Sequence, residues 1–104
     1  MEKLVLFGAG GSGRETAYLV ERINREKPSF ELLGYVDDNT NMVGKVLNGY
    51  PVLGNTDWLV AHKDEVLCCV TIGLMKPRVA VCEKLTELGI RFATLIDPSA
   101  SIGH

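Results

Sequence analysis

Six residues near the start of the chain, Gly8-Ala9-Gly10-Gly11-Ser12-Gly13, constrain its fold more than any other feature. They follow Lys3-Leu4-Val5-Leu6-Phe7, an apolar run without polar alternation, which reads as a strand buried on both faces. They lead into residues 11–25, where Ala17, Leu19, Val20 and Ile23 recur at helical spacing before Pro28 closes the segment. A G-x-G-x-x-G set between a strand and a helix is a turn suited to phosphate. Gly8 permits the tight turn, Gly10 lets a ligand approach the backbone, and Gly13 lets the helix pack on the strand. The N–H groups at the helix start then face an anion with favourable dipole polarity. Glycines also serve tight turns that bind nothing.

The rest of the chain fits an α/β reading. Residues 30–36 (FELLGYV) form a second strand, stopped by the turn formers Asp37 to Thr40. Residues 45–47 and 50–53 flank Asn48-Gly49, a dipeptide for a two-residue turn, and predict a small hairpin with Pro51 on an edge arm. A short helix capped by Asn55 or Thr56 runs to His62. A third buried strand covers 65–72, a helix covers 76–88 with Gly89 as its stop, and a fourth strand covers 91–96. Alternating strands and helices call for a parallel sheet covered on both faces. The expectation is a Rossmann-like open parallel sheet of about four strands, order 2-1-3-4, with the hairpin as an insertion.

Three further features bear on function. Asp37 and Asp38 stand at the end of the second strand, where such folds place the acid that binds a ribose hydroxyl, although acids also simply end strands. Arg14 is placed to add charge-assisted contacts to an anion or else to lie solvated. Gly73 follows the third strand at the same carboxyl edge. The three cysteines, Cys68, Cys69 and Cys82, lie in apolar stretches and read as reduced core thiols, not as a metal site. Neither His62 nor His104 is assigned to catalysis, and no nucleophile-plus-base pair appears. A net charge of −2 gives no support for binding nucleic acid or an anionic membrane. The run Leu4 to Phe7 is far below the ~20 residues that span a bilayer, and no leader is recognisable, so the expected location is cytoplasmic.

Taken together, LVLFGAGGSGRE (Leu4–Glu15), LGYVDD (Leu33–Asp38), NGYPVLG (Asn48–Gly54) and FATLIDPSAS (Phe92–Ser101) resemble the sialic-acid and bacillosamine-type acetyltransferases of the hexapeptide-repeat superfamily. The resemblance implies a longer parent. Its N-terminal Rossmann-like domain would hold the acceptor, often a UDP-linked amino sugar. Its C-terminal left-handed β-helix would trimerise, bind acetyl-CoA and carry the catalytic histidine. On that basis residues 1–97 are expected to be the acceptor domain and residues 98–104 the start of a truncated β-helix. The domain would bind no cofactor itself, and acetyl-CoA would belong to the full-length parent. The implied contacts are Gly8, Ala9, Gly10, Gly11, Ser12 and Gly13 around phosphates and sugar, Asp37 and Asp38 toward the nucleoside, and Gly73 nearby. Ser12 stands where the family usually has histidine, and Leu74-Met75 where it usually has a polar pair. The competing readings are a regulatory Rossmann module that binds NAD or CoA, and a purely structural domain.

Overall fold

The computed structural model describes residues 1–71 and 75–95. A central strand, β1 (Glu2–Phe7), pairs in parallel with β2 (Phe30–Val36) on one side and β5 (Leu67–Val70) on the other. Successive β1 side chains point to opposite faces. Leu4 and Leu6 enter one core cluster, with Ala17 and Val20 of helix α1 (Gly11–Glu26), Tyr35 and Val52. Val5 and Phe7 enter the other, with Leu59 of helix α2 (Thr56–Ala61), Leu85 of helix α3 (Met75–Glu87), Val36, Cys68 and Val70. Both faces of the sheet are therefore covered, which is why β1 shows no polar alternation.

Local chemistry sets the ends of these elements. The helix α1 is tied to the start of β2 through Asn24, whose Oδ1 accepts from the Ser29 and Phe30 N–H groups at 3.0 and 3.1 Å while Nδ2 donates to the Phe30 carbonyl. Asn55 caps α2 by accepting from the Asp57 and Trp58 N–H groups. Asn48 and Gly49 take φ of 54° and 84°, the paired positive values of a type I′ turn, between β3 (Val46–Leu47) and β4 (Tyr50–Gly54).

The expected strand order needs correction. The sheet has five strands in the order β3-β4-β2-β1-β5 and is mixed, because β3 runs antiparallel to β4. The hairpin is part of the sheet, since β4 pairs in parallel with β2 through Tyr35↔Val52 and Val36↔Gly54. Two residues explain this. Gly34 has no Cβ, and one built there would collide with the Pro51 carbonyl, so glycine is what lets β4 approach. Pro51 precedes the first parallel pair, so its missing N–H takes no bond from that ladder. The outer edge falls to the two-residue β3, not to the arm that carries Pro51.

The expected third strand, 65–72, is shorter, spanning Leu67–Val70 in the described chain. The expected fourth strand is represented among the described residues by one parallel bridge, Cys68↔Phe92, flanked by Cys68 N–H to Arg91 O and Ala93 N–H to Cys68 O, both 2.9 Å. Gly73 and residues 98–104, the proposed start of a β-helix, lie outside the described residues. No helix of the described residues is long and apolar enough to cross a membrane.

Candidate functional site

The carboxyl ends of β1, β2 and β5 meet at one edge of the sheet, and the glycine turn crosses that edge. Gly8 leaves β1 with φ of 111°, a conformation that L side chains rarely adopt. Its N–H donates to the Val36 carbonyl at 2.8 Å, and its own carbonyl accepts from the Thr71 hydroxyl at 2.8 Å. The turn is thus anchored to both neighbouring strands. Ala9 is buried, and its N–H donates to Asp37 Oδ2 at 3.0 Å.

Gly10 is the N-cap of α1 and supplies no side-chain cap. The first turn of this 16-residue helix contains no acidic residue, and the carboxylate at its start, Asp37, is bonded one residue before the N-cap, to the Ala9 N–H. Among the described residues a Cβ placed on Gly10 would meet no atom within 4 Å, so space adjoins the helix start there. Gly13 is the opposite case. A Cβ there would collide with the Gly8 carbonyl and press on the Tyr35 ring at 3.2 Å. One glycine faces open space, and the other permits close packing of helix on strand. Arg14 is exposed on the first helical turn.

The two acids expected to act together point to different partners. Asp37 accepts from Ala9 N–H and, through Oδ1, from Asn39 N–H at 2.8 Å, while its own N–H donates to the Gly54 carbonyl. It therefore braces the glycine turn against the loop that follows β2. Asp38 turns toward α2 and α3. It accepts from the Thr56 N–H at 2.9 Å and the Thr56 hydroxyl at 2.8 Å, and lies 3.6 Å from Lys84 Nζ. Burial pushes the Asp38 carboxyl up, but the Thr56 hydrogen bonds and the Lys84 charge outweigh it and hold the group below the ordinary value.

Thr71 is a site residue that the sequence reading passed over in favour of Gly73. It is buried, its N–H and hydroxyl both reach the Phe7 carbonyl, and the hydroxyl also reaches Gly8. A polar residue closing an apolar strand at the carboxyl edge was the available signal. The thiols next to it are shifted toward the protonated form. Burial pushes the Cys68 thiol up to about 12 and raises that of Cys69 as well.

Comparison with known proteins places this geometry. The model of the PglD N-terminal domain matches residues 3–85. No curated protein matches the chain. Among solved structures, the acetyltransferase domain of PglB from Neisseria gonorrhoeae FA1090 is similar at 30% identity and TM-score 0.73, covering 94% of this chain and 45% of that one. The same domain in complex with acetyl coenzyme A is similar at 31% identity and TM-score 0.75, over 93% of this chain and 44% of that one. The chain thus spans less than half the length of that domain. UDP-D-quinovosamine 4-dehydrogenase from Vibrio fischeri shares the fold at 15% identity and TM-score 0.68, over 98% of this chain and 84% of that one. So does RSP, a Rex-family repressor, in complex with β-NADH, at 18% identity and TM-score 0.60, over 93% of this chain and 50% of that one.

These findings overturn the expectation of a nucleotide-sugar acceptor domain that lacks an acetyl-CoA site. The similar acetyltransferase domain was solved with acetyl-CoA, and the repressor that shares the fold was solved with NADH. The other reading of the same turn, a module for NAD or CoA, agrees better with them.

Proposed function

The chain belongs to the PglD N-terminal domain family, and on that premise we propose that it is a nucleotide-cofactor-binding module of an acetyltransferase protein. Its ligand is the ADP moiety that NAD and CoA share. The diphosphate sits over the glycine turn, against the backbone of Gly8, Ala9, Gly10, Gly11, Ser12 and Gly13, with the guanidinium of Arg14 beside it. The ribose lies toward Asp37 and Asp38; Gly73, the other residue expected to contribute, lies outside the described residues. The observation that carries this reading is the uncapped start of α1 beside the open space at Gly10. A long helix whose first turn has neither a side-chain cap nor an acid leaves N–H donors and a positive potential for an anion.

The module binds and orients; it does not supply chemical groups. Each Asp37 oxygen already accepts one N–H, which leaves acceptor capacity for a ribose hydroxyl without releasing the turn. The thiols at the sheet are held protonated by burial. The acetyl transfer of the parent protein is assigned to residues beyond this domain.

The test is a melting titration with NADH and with acetyl-CoA. A ligand at 100 times its Kd adds about 2.7 kcal/mol, several degrees for a domain of this size. The expected result is a shift with at least one of the two that is lost in Gly10→Val. No shift with either would refute the proposal and leave a structural domain.

A further inference from the structure

A second cavity adjoins the glycine turn on the α1 face of the sheet, with a volume of about 450 Å³. That size lies within the range of small-molecule sites. Its apolar lining comes from Leu19 of α1 and from Ala93 and Leu95 of the segment beyond the bridge; Val70 also borders it, although its side chain packs in the core of the opposite face. Thr71 forms part of the wall and is bonded by its hydroxyl to the Gly8 carbonyl, so the wall of this cavity is also the support of the turn. Two charged side chains line it, Arg78 from α3 and Glu15 from α1, both exposed to solvent. Cys69, half-buried, contributes its thiol to the lining.

We propose that this cavity is a second ligand site, distinct from the nucleotide, for a small monocarboxylate with a short apolar body. The guanidinium of Arg78 presents parallel N–H donors that match a planar carboxylate, while the apolar lining takes the hydrocarbon part. Glu15 across the same cavity opposes a dianion, which favours a singly charged carboxylate over a phosphate. Three threonines line the cavity, and Thr16 of α1 already has a partner within the protein. Thr71 directs its hydroxyl to backbone carbonyls, and Thr94 is exposed at the rim.

Cys69 provides a readout independent of any activity and of nucleotide binding. The test is the rate at which a small thiol reagent modifies Cys69, followed by fragment mass spectrometry, with butanoate or n-butanol as the probe. Saturating butanoate is expected to slow modification strongly, whereas butanol, lacking the charge, leaves the rate unchanged. Arg78→Gln is expected to raise the butanoate concentration needed by about tenfold, the loss of one charged hydrogen bond, and Glu15→Gln to lower it. Both side chains are exposed, so neither change threatens folding, and an unchanged melting temperature checks this. Equal protection by butanoate and butanol, no protection by either, or full protection in Arg78→Gln would each overturn the proposal. A melting shift with NADH or acetyl-CoA that persists in Arg78→Gln separates failure here from failure of the nucleotide site.

Discussion

The paired substitutions Gly13→Ala and Gly10→Ala separate what the glycine turn does for folding from what it does for binding. At Gly13 the added methyl would collide with the Gly8 carbonyl and sit 3.2 Å from the Tyr35 ring. The first obstacle is backbone anchored by two hydrogen bonds, from Gly8 N–H to Val36 and from Thr71 to Gly8 O. It cannot rotate away as a side chain would, so helix α1 must lift from β1. Overpacking of this kind costs about 1–3 kcal/mol, and the rigid obstacle places the cost toward the upper end. Alanine regains up to about 1 kcal/mol as a better helix former than glycine. The net loss is about 2 kcal/mol, which for a domain of this length lowers the melting temperature by about 10 °C. At Gly10 the methyl meets no atom of the described residues within 4 Å and φ is −78°, so stability falls by less than about 1 kcal/mol, through the poorer N-cap. The same methyl occupies the space into which a diphosphate would settle, so Gly10→Ala loses the ligand-induced shift. Thermal melts of both variants, with and without NADH and acetyl-CoA, make the comparison. If Gly13→Ala melts within a degree or two of the parent, the close approach of helix and strand is refuted. If it is Gly13→Ala alone that loses the ligand shift, the assignment of Gly10 to the binding space fails.

Three more outcomes follow from the same contacts. Thr71→Val removes a buried hydroxyl that supports Gly8, and is expected to cost about 1 kcal/mol by chemical denaturation and to weaken the nucleotide-induced shift, an effect absent for a valine placed at the exposed Thr94. The Tyr35 hydroxyl is buried and has no hydrogen bond of ordinary geometry to any described residue, with the Asn48 side chain near it, so Tyr35→Phe is expected to leave the denaturation midpoint unchanged or raise it, and a loss above about 1 kcal/mol would show that the Asn48 contact counts as a bond. Asp38 has a carboxyl pKa lowered in the folded state, so its contribution is present above the ordinary value of 3.8 and is lost as pH falls through the depressed value. Thr56→Val, which removes the hydroxyl donor to that carboxylate, is expected to flatten this acid limb in melts taken across pH 2 to 5 and to change the neutral-pH slope little.

How much of this was legible in the chain depended on whether the deciding interaction was local. The turn at Asn48-Gly49 was readable because two adjacent positive φ values demand those residues. The strand Phe30–Val36 and the helix Gly11–Glu26 were readable because apolar spacing sets which face is buried. The sheet order was not, because it depends on Gly34 and Pro51, which are 17 residues apart and meet only in the fold. Read alone, proline argues for an edge and glycine for a weak strand. Read as a pair, the missing Cβ of one admits the carbonyl of the other, and the hairpin becomes a sheet neighbour of β2.

The same limit governed the acids. Position at the end of β2 marks both Asp37 and Asp38 as ribose acceptors, and sequence offers nothing to separate them. Their different duties arise from partners far along the chain, Ala9 for one and Thr56 with Lys84 for the other. This division has a consequence for how a bound nucleotide would be felt. A ribose on Asp37 touches a carboxylate already bonded to the glycine turn, so the diphosphate and ribose contacts share one rigid frame. A contact to Asp38 instead competes with the Thr56 hydroxyl at the start of α2 and with Lys84 on α3. Binding through Asp37 therefore leaves the helices of the opposite face undisturbed, whereas binding through Asp38 must loosen them. Hydrogen exchange of the α2 amides with and without nucleotide distinguishes the two: unchanged or slower exchange places the ribose on Asp37, and faster exchange places it on Asp38.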